Sequence, residues 1–200
     1  MVLKLEDINK TNTEFYQKYF LNMKNDHHLV RMPGEWYKFL TYLTNLYNDI
    51  TILDVGTCWG ESAIALSQNK SNKVITYDIH TLWEKEFNPN RRDFLQDFDN
   101  LEMRVTDIKN ESDNLIKSAK IIVFDIAHDG IQEKNFTDRL ERIGYKGYVI
   151  CDDIFSPWYP KMKPWWDSIT TEKYDITDLA HNSGTGLINY YEDKNITIIR

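Results

Sequence analysis

Cysteine is almost missing from this chain: Cys58 and Cys151 are the only two in 200 residues. That excludes a disulfide-stapled scaffold, and both thiols are expected to be reduced. Glycine and proline are also scarce, at 8 and 5 residues, too few for a fibrous or low-complexity chain. No apolar run approaches the roughly 18 residues of a membrane span. Charges at Lys4, Glu6 and Asp7 stand where a signal peptide would place its apolar segment, so the expectation is a cytoplasmic protein with no membrane partner. Basic residues are outnumbered 24 to 31, with net charge -7 and pI near 5.2. A general affinity for nucleic acid is therefore not expected.

What remains is a globular composition, 42% hydrophobic, 14% aromatic and 28% charged, at a length that suits one domain spanning 1–200. Short β-branched runs alternate with amphipathic stretches, the pattern of a parallel sheet wrapped by helices. Strands are expected at 50–54, 73–78, 102–106, 121–125 and 148–152, most of them closing on aspartate. Helices are expected at 5–22, 35–48, 61–68, 91–98, 111–117 and 132–143. Residues 1–48 form a helical flank or lid. A last pair of runs, 185–191 and 195–199, reads as a hairpin at the sheet edge. Between the fifth strand and this pair, Pro157, Pro160 and Pro164 break an aromatic segment into a loop with a short helix at most. Trp158 or Tyr159 is expected to wall an acceptor pocket, and one of Trp165 and Trp166 to join the core.

The turn after the first of these strands reads Asp54-Val-Gly56-Thr57-Cys-Trp-Gly60-Glu-Ser62. Ligands of open α/β sheets bind outside the carboxyl ends of the strands. Gly56 would let the backbone approach such a ligand and Gly60 would let the next helix start close to the sheet. A side chain at Gly56, on the surface end of a strand, is expected to obstruct the ligand while leaving the fold intact. The G-x-x-x-G spacing lacks the fingerprint that grips a dinucleotide pyrophosphate. Asp78 closes the next strand, where a carboxylate can accept the hydroxyls of a ribose.

These residues resemble the first motif and the ribose-binding acid of class I methyltransferases that use S-adenosylmethionine (SAM). More narrowly, Phe124-Asp125-Ile-Ala127-His128-Asp129-Gly130 and the later Gly147-Tyr-Val-Ile-Cys-Asp152-Asp153 resemble the sugar and small-molecule O-methyltransferases related to macrocin O-methyltransferase. Ala127 departs from that pattern where an acid is usual, and Lys146-Gly147 replaces a double glycine. The resemblance implies an α/β fold with a doubly wound, mostly parallel seven-stranded Rossmann-like sheet and an antiparallel edge hairpin. It also implies a SAM site built from Asp54, Gly56, Thr57, Gly60, Ser62, Asp78, His80 and Asp107, the last toward adenine.

Asp125, Asp152 and Asp153 would converge at adjacent strand ends, and three carboxylates so close repel one another unless a positive charge lies among them. A divalent cation, Mg²⁺ or Mn²⁺ for an all-oxygen site, answers that need. In the family such an ion lowers the pKa of the hydroxyl to be methylated. His128 is the first candidate for general base and Asp129 the second. Strand-end acids also serve as helix caps, and a lone histidine is often structural.

The expected activity is O-methylation of a sugar or similar polyhydroxylated small molecule or glycan, with self-association left open. One rival is a Rossmann oxidoreductase using Tyr159-x-x-x-Lys163 as its catalytic pair. Another is a binding module without turnover, to which the Ala127 departure gives weight.

Overall fold

The computed structural model describes residues 1–15, 19, 35–58, 60–79, 97–192 and 195–200. His80, the expected helix at 91–98 except its last two residues, and most of the second half of the helix expected at 5–22 lie outside them.

Seven strands form one sheet: β2 (Thr51–Val55), β3 (Lys73–Asp78), β4 (Leu101–Val105), β5 (Ala119–Phe124), β6 (Tyr148–Cys151), β7 (Lys173–Asp175) and β8 (Gly186–Asn189). Their order is β4-β3-β2-β5-β6-β8-β7, parallel except for β8, which runs antiparallel to both neighbours. Connections leave β2 and β5 toward opposite edges, so the switch point of the sheet lies between them. Register pairs such as Ile52 with Val74 and Leu53 with Ile122 stack β-branched and aliphatic side chains on both faces, as expected of a sheet covered on two sides.

Alternate residues of each strand feed two cores. On one face Ile52, Val74, Ile121, Val123 and Ile150 pack with Leu40 and Leu43 of α2 (Glu35–Asn45) and Ile64 of α3 (Glu61–Leu66). On the other, Leu53, Ile75, Ile122, Phe124 and Val149 meet Phe136 and Leu140 of α5 (Ile131–Ile143), together with Trp165 and Trp166 of α6 (Met162–Ser168). Helix α4 (Asp113–Ser118) is capped by Ser112, whose side chain accepts the Leu115 N–H, the usual way to satisfy a first-turn donor. Both tryptophans of α6 belong to the core, where one was expected. The Trp166 ring lies so close to Gly186 that an added Cβ would stand 2.5 Å from it.

The expected hairpin is rearranged. β8 pairs with β7, three residues that carry no periodic signal, rather than with the C-terminal run. With β6 on one side of β8 and β7 on the other, no edge there is left for a further strand. The last strand, β9 (Thr197–Ile199), instead pairs in parallel with β1 (Val2–Lys4), and Met1 donates from its amino group to the Asn195 carbonyl at 2.8 Å. The short helix α1 (Leu5–Asn9) follows β1. Among the described residues no helix is long and apolar enough to cross a membrane.

Candidate active site at the carboxyl edge of the sheet

The turn after β2 is built around Gly56. Its φ of 110° lies outside the range L side chains adopt, and a Cβ there would stand 1.6 Å from the carbonyl oxygen of Asp125. Gly56 is thus required by the approach of β5's end to the loop, and the expectation that a side chain would leave the fold intact is corrected. The Gly56 and Thr57 N–H groups both donate to the Tyr77 carbonyl. Asp78 fixes the next step, accepting the Cys58 N–H at 2.8 Å while Cys58 takes a positive φ of 44°. Gly60, also at positive φ, precedes α3.

Asp54 lies behind this loop, 1% exposed, and accepts hydrogen bonds from Ser62 Oγ at 3.0 Å and Thr76 Oγ1 at 2.8 Å. Burial pushes its carboxyl up to about 7, against the lowering effect of the two hydroxyls. Thr57 is buried too and contacts the Thr76 hydroxyl. Asp54, Thr57 and Ser62 therefore brace the loop from beneath.

In front of it opens a cavity of about 520 Å³ whose lining includes Gly56, Cys58, Asp78, Asp107, Asp125, His128 and Tyr159. Of the residues expected at a cofactor, Gly56, Asp78 and Asp107 line this space. Asp107 also accepts the Lys109 N–H at 2.9 Å, opening the 3-10 turn Ile108–Asn110.

Asp125, Asp152 and Asp153 follow β5 and β6 directly and do share one cleft, with two histidines interleaved. His128 Nε2 lies 3.0 Å from Asp125 Oδ1 and 3.6 Å from Asp153 Oδ2. That nitrogen is buried, with Asp125 the nearer of the two carboxylates. His181 Nδ1 lies 3.0 Å from Asp152 Oδ1 and 2.5 Å from Ser183 Oγ. Burial works to lower both imidazole pKa values, but the surrounding carboxylates prevail and each is raised. Burial, partly offset by His181, lifts Asp152 to about 6.

Ligand atoms of Asp152, Asp153 and His181 all lie within 4.8 Å of one another. His181 reaches the acids because β8 is antiparallel: its first residue, Gly186, pairs with Cys151 at the end of β6, so the turn before it meets Asp152. In the sequence His181 stands just ahead of Ser183-Gly184-Thr185-Gly186, a flexible turn that reads as a border of the acceptor pocket and no more. Helix α2 adds two residues that sequence reasoning missed. Trp36 holds its ring 6.3 Å from that of His181. The Tyr37 phenol is pushed well up by burial and then by Glu61, Asp125 and Asp152.

Asp129, the second candidate base, accepts the Ile131 and Gln132 N–H groups at 2.8 and 2.9 Å, and these bonds hold its acidity high. It is occupied as a helix cap. Tyr159 stacks on His128, with ring centroids 4.3 Å apart and planes within 15°. Lys163 pairs with Asp167 at 2.5 Å, so the two form no catalytic pair. Trp158 is 84% exposed and stands outside the cavity lining.

No family model and no curated protein matches the chain. Solved structures do. Cofactor-bound Rv0187 from MTB aligns with TM-score 0.65 at 13% identity, over 94% of this chain and 95% of that one. The methyltransferase PaMTH1 of Podospora anserina, bound to S-adenosylhomocysteine (SAH), gives 0.60 at 14% identity, over 78% of each chain. A putative caffeoyl-CoA O-methyltransferase from Staphylococcus aureus gives 0.59 at 13%, over 88% and 97%. This chain has the class I methyltransferase fold. Within it, the cavity beside Gly56 and Asp78 opens at the switch point of the sheet, where ligands of such folds bind.

Proposed function

We propose that this chain is a SAM-dependent O-methyltransferase acting on a sugar or similar polyhydroxylated small molecule or glycan, assisted by a divalent cation. The observation that carries the reading is one cavity with two chemically different ends: Gly56, Asp78 and Asp107 at one, Asp125, His128 and Tyr159 at the other. Two structural neighbours, one a methyltransferase bound to SAH and one a putative caffeoyl-CoA O-methyltransferase, support it. A vicinal diol suits a cleft of three carboxylates and two histidines.

SAM, when bound, supplies a methyl group on a positively charged sulfur. Asp78 accepts hydrogen bonds from the ribose hydroxyls, and the wall at Gly56 admits the rest of the molecule closely. The acceptor hydroxyl would stand at the other end, where His128 Nε2 would take its proton, the methyl group being what bound SAM would supply. A base of near-neutral pKa suits that transfer. Tyr159 covers one face of the imidazole and keeps water from it. Holding donor and acceptor in one cavity lowers the entropic part of the barrier.

For a cation, the donor set fits: ligand atoms of Asp152, Asp153 and His181 converge within 4.8 Å of one another, and Asp125 stands across His128 from Asp153. Asp152, Asp153 and His181 would hold the ion, which would lower the pKa of the acceptor hydroxyl. With an imidazole nitrogen among the oxygens, Mn²⁺ is favoured over Mg²⁺.

The test is a screen of labelled methyl transfer from SAM to a panel of sugars and catechols, with and without EDTA. Transfer to a diol that EDTA suppresses and Mn²⁺ restores is expected. Transfer undiminished in EDTA removes the metal, and transfer only to non-hydroxyl acceptors removes the O-methyltransferase.

A further inference from the structure

Glu133 is a buried carboxylate for which the chemistry above has no use. It lies in the first turn of α5, is 1% exposed, and is flanked on the buried face of that helix by Phe136, Thr137 and Leu140. One oxygen accepts the backbone N–H of His128 at 2.8 Å. The other is buried without a hydrogen-bond partner among the described residues, near the Asp129 carboxylate. A carboxyl in that condition is costly unless it is needed. Burial, first among the causes, raises its pKa toward the neutral acid.

What it grips is unusual. His128 takes a positive φ of 52°, a conformation few non-glycine residues adopt, and Gly130 in the same turn is at 71° with the Lys161 carbonyl packed where a Cβ would go. Asp129 between them is committed to the helix start. The Glu133 bond therefore anchors the backbone of His128 from below, and the Tyr159 ring presses on the imidazole from the side. Neither contact uses a ring nitrogen, which leaves Nε2 facing Asp125 and Asp153.

We infer that Glu133 is a positioning residue: with Tyr159 it clamps His128 in the left-handed turn and sets where its Nε2 points. The inference rests on the reading of His128 as the base, and it concerns the placement of that ring rather than the identity of the substrate. Glutamine keeps an acceptor at the same reach, alanine removes it, and aspartate withdraws it by one methylene.

The test is long-range ¹H–¹⁵N spectroscopy of histidine-labelled protein, with His128 assigned by the loss of its signals in His128→Ala. Glu133→Gln should retain the His128 ring signals. Glu133→Ala and Glu133→Asp should shift or broaden them while those of His181 stay in place. If Glu133→Ala fails to fold, the Glu133→Asp and Glu133→Gln pair decides. His128 signals unchanged in Glu133→Asp, or displaced as far in Glu133→Gln as in Glu133→Asp, would overturn the inference. A double-mutant cycle on any diol the screen finds adds the catalytic readout. Glu133→Ala should lower kcat about 10-fold with KM for SAM unchanged, and should add less than twofold in a His128→Ala background. Multiplying effects would make Glu133 merely structural. Full transfer by His128→Ala alone would remove the base yet leave the spectroscopic result standing, so the two failures are separable.

Discussion

Two sets of carboxylates lie along the same edge of the sheet and are handled in opposite ways. Asp54, in β2, is buried and met by two hydroxyls from β3 and α3. Asp125, Asp152 and Asp153, after β5 and β6, crowd together around two histidines. A buried polar group with its partners in place rigidifies a fold, whereas crowded and incompletely paired groups store a capacity to bind or move charge. The first region braces a loop, and the second is where chemistry is expected.

The sharpest way to break the comparison is at its hinge. Gly56 belongs to the bracing half but touches the Asp125 backbone, so Gly56→Val should abolish the folded protein rather than only its ligand binding. A Cβ 1.6 Å from a carbonyl oxygen forces the two strand ends apart, and overpacking against rigid backbone exceeds the usual 1–3 kcal/mol of a core misfit. Circular dichroism and thermal melting of this variant measure it.

Next in size is His128→Ala. It should lower methyl transfer about 10²- to 10⁴-fold, with SAH affinity within a few-fold of the parent by calorimetry, because the residues nearest the nucleoside end are untouched. A smaller effect is expected from Asp78→Ala, about 1–3 kcal/mol of SAM binding from lost hydrogen bonds. Part of that arises through the Cys58 N–H that Asp78 also holds, so loop order and affinity should fall together.

The smallest effect isolates Asp54. Its native pKa is raised to about 7, whereas an unfolded aspartate ionises near 4. Between those values the unfolded state loses its proton first, so stability falls as pH rises and levels off above about 7. Asp54→Asn should remove this contribution, flattening the pH 5 to 8 stability difference by about 1–3 kcal/mol in denaturant titrations. A parent and variant with parallel pH profiles would show that Asp54 is not the buried acid described.

Much of this arrangement was legible in the residues themselves. The strand runs of β2, β3, β5 and β6 place Asp54, Asp78, Asp125 and Asp152 at one edge through alternation and length alone, and the hydrophobic spacing of α5 is plain. Strands β1 and β7 were not, because three residues carry no period, and the run at β9 was legible but its partner was not, since pairing depends on which edges are already taken. The role of Gly56 was half legible: its freedom was read correctly, but the group it accommodates is the Asp125 backbone. His181, legible only as a pocket border, and Glu133, not legible at all, were hidden for another reason. One reaches Asp152 only because β8 is antiparallel, and the other meets His128 through a backbone N–H, a contact that side-chain chemistry in a sequence does not announce.

The account stands most directly on what fills the cavity beside Asp78. Titration calorimetry of the folded protein with SAM, and separately with NAD, tests this without knowledge of the acceptor. One-to-one saturable binding of SAM, weakened in Asp78→Ala and absent for NAD, is the predicted result. Binding of NAD, or no heat from SAM or SAH with a fully folded protein, would contradict it.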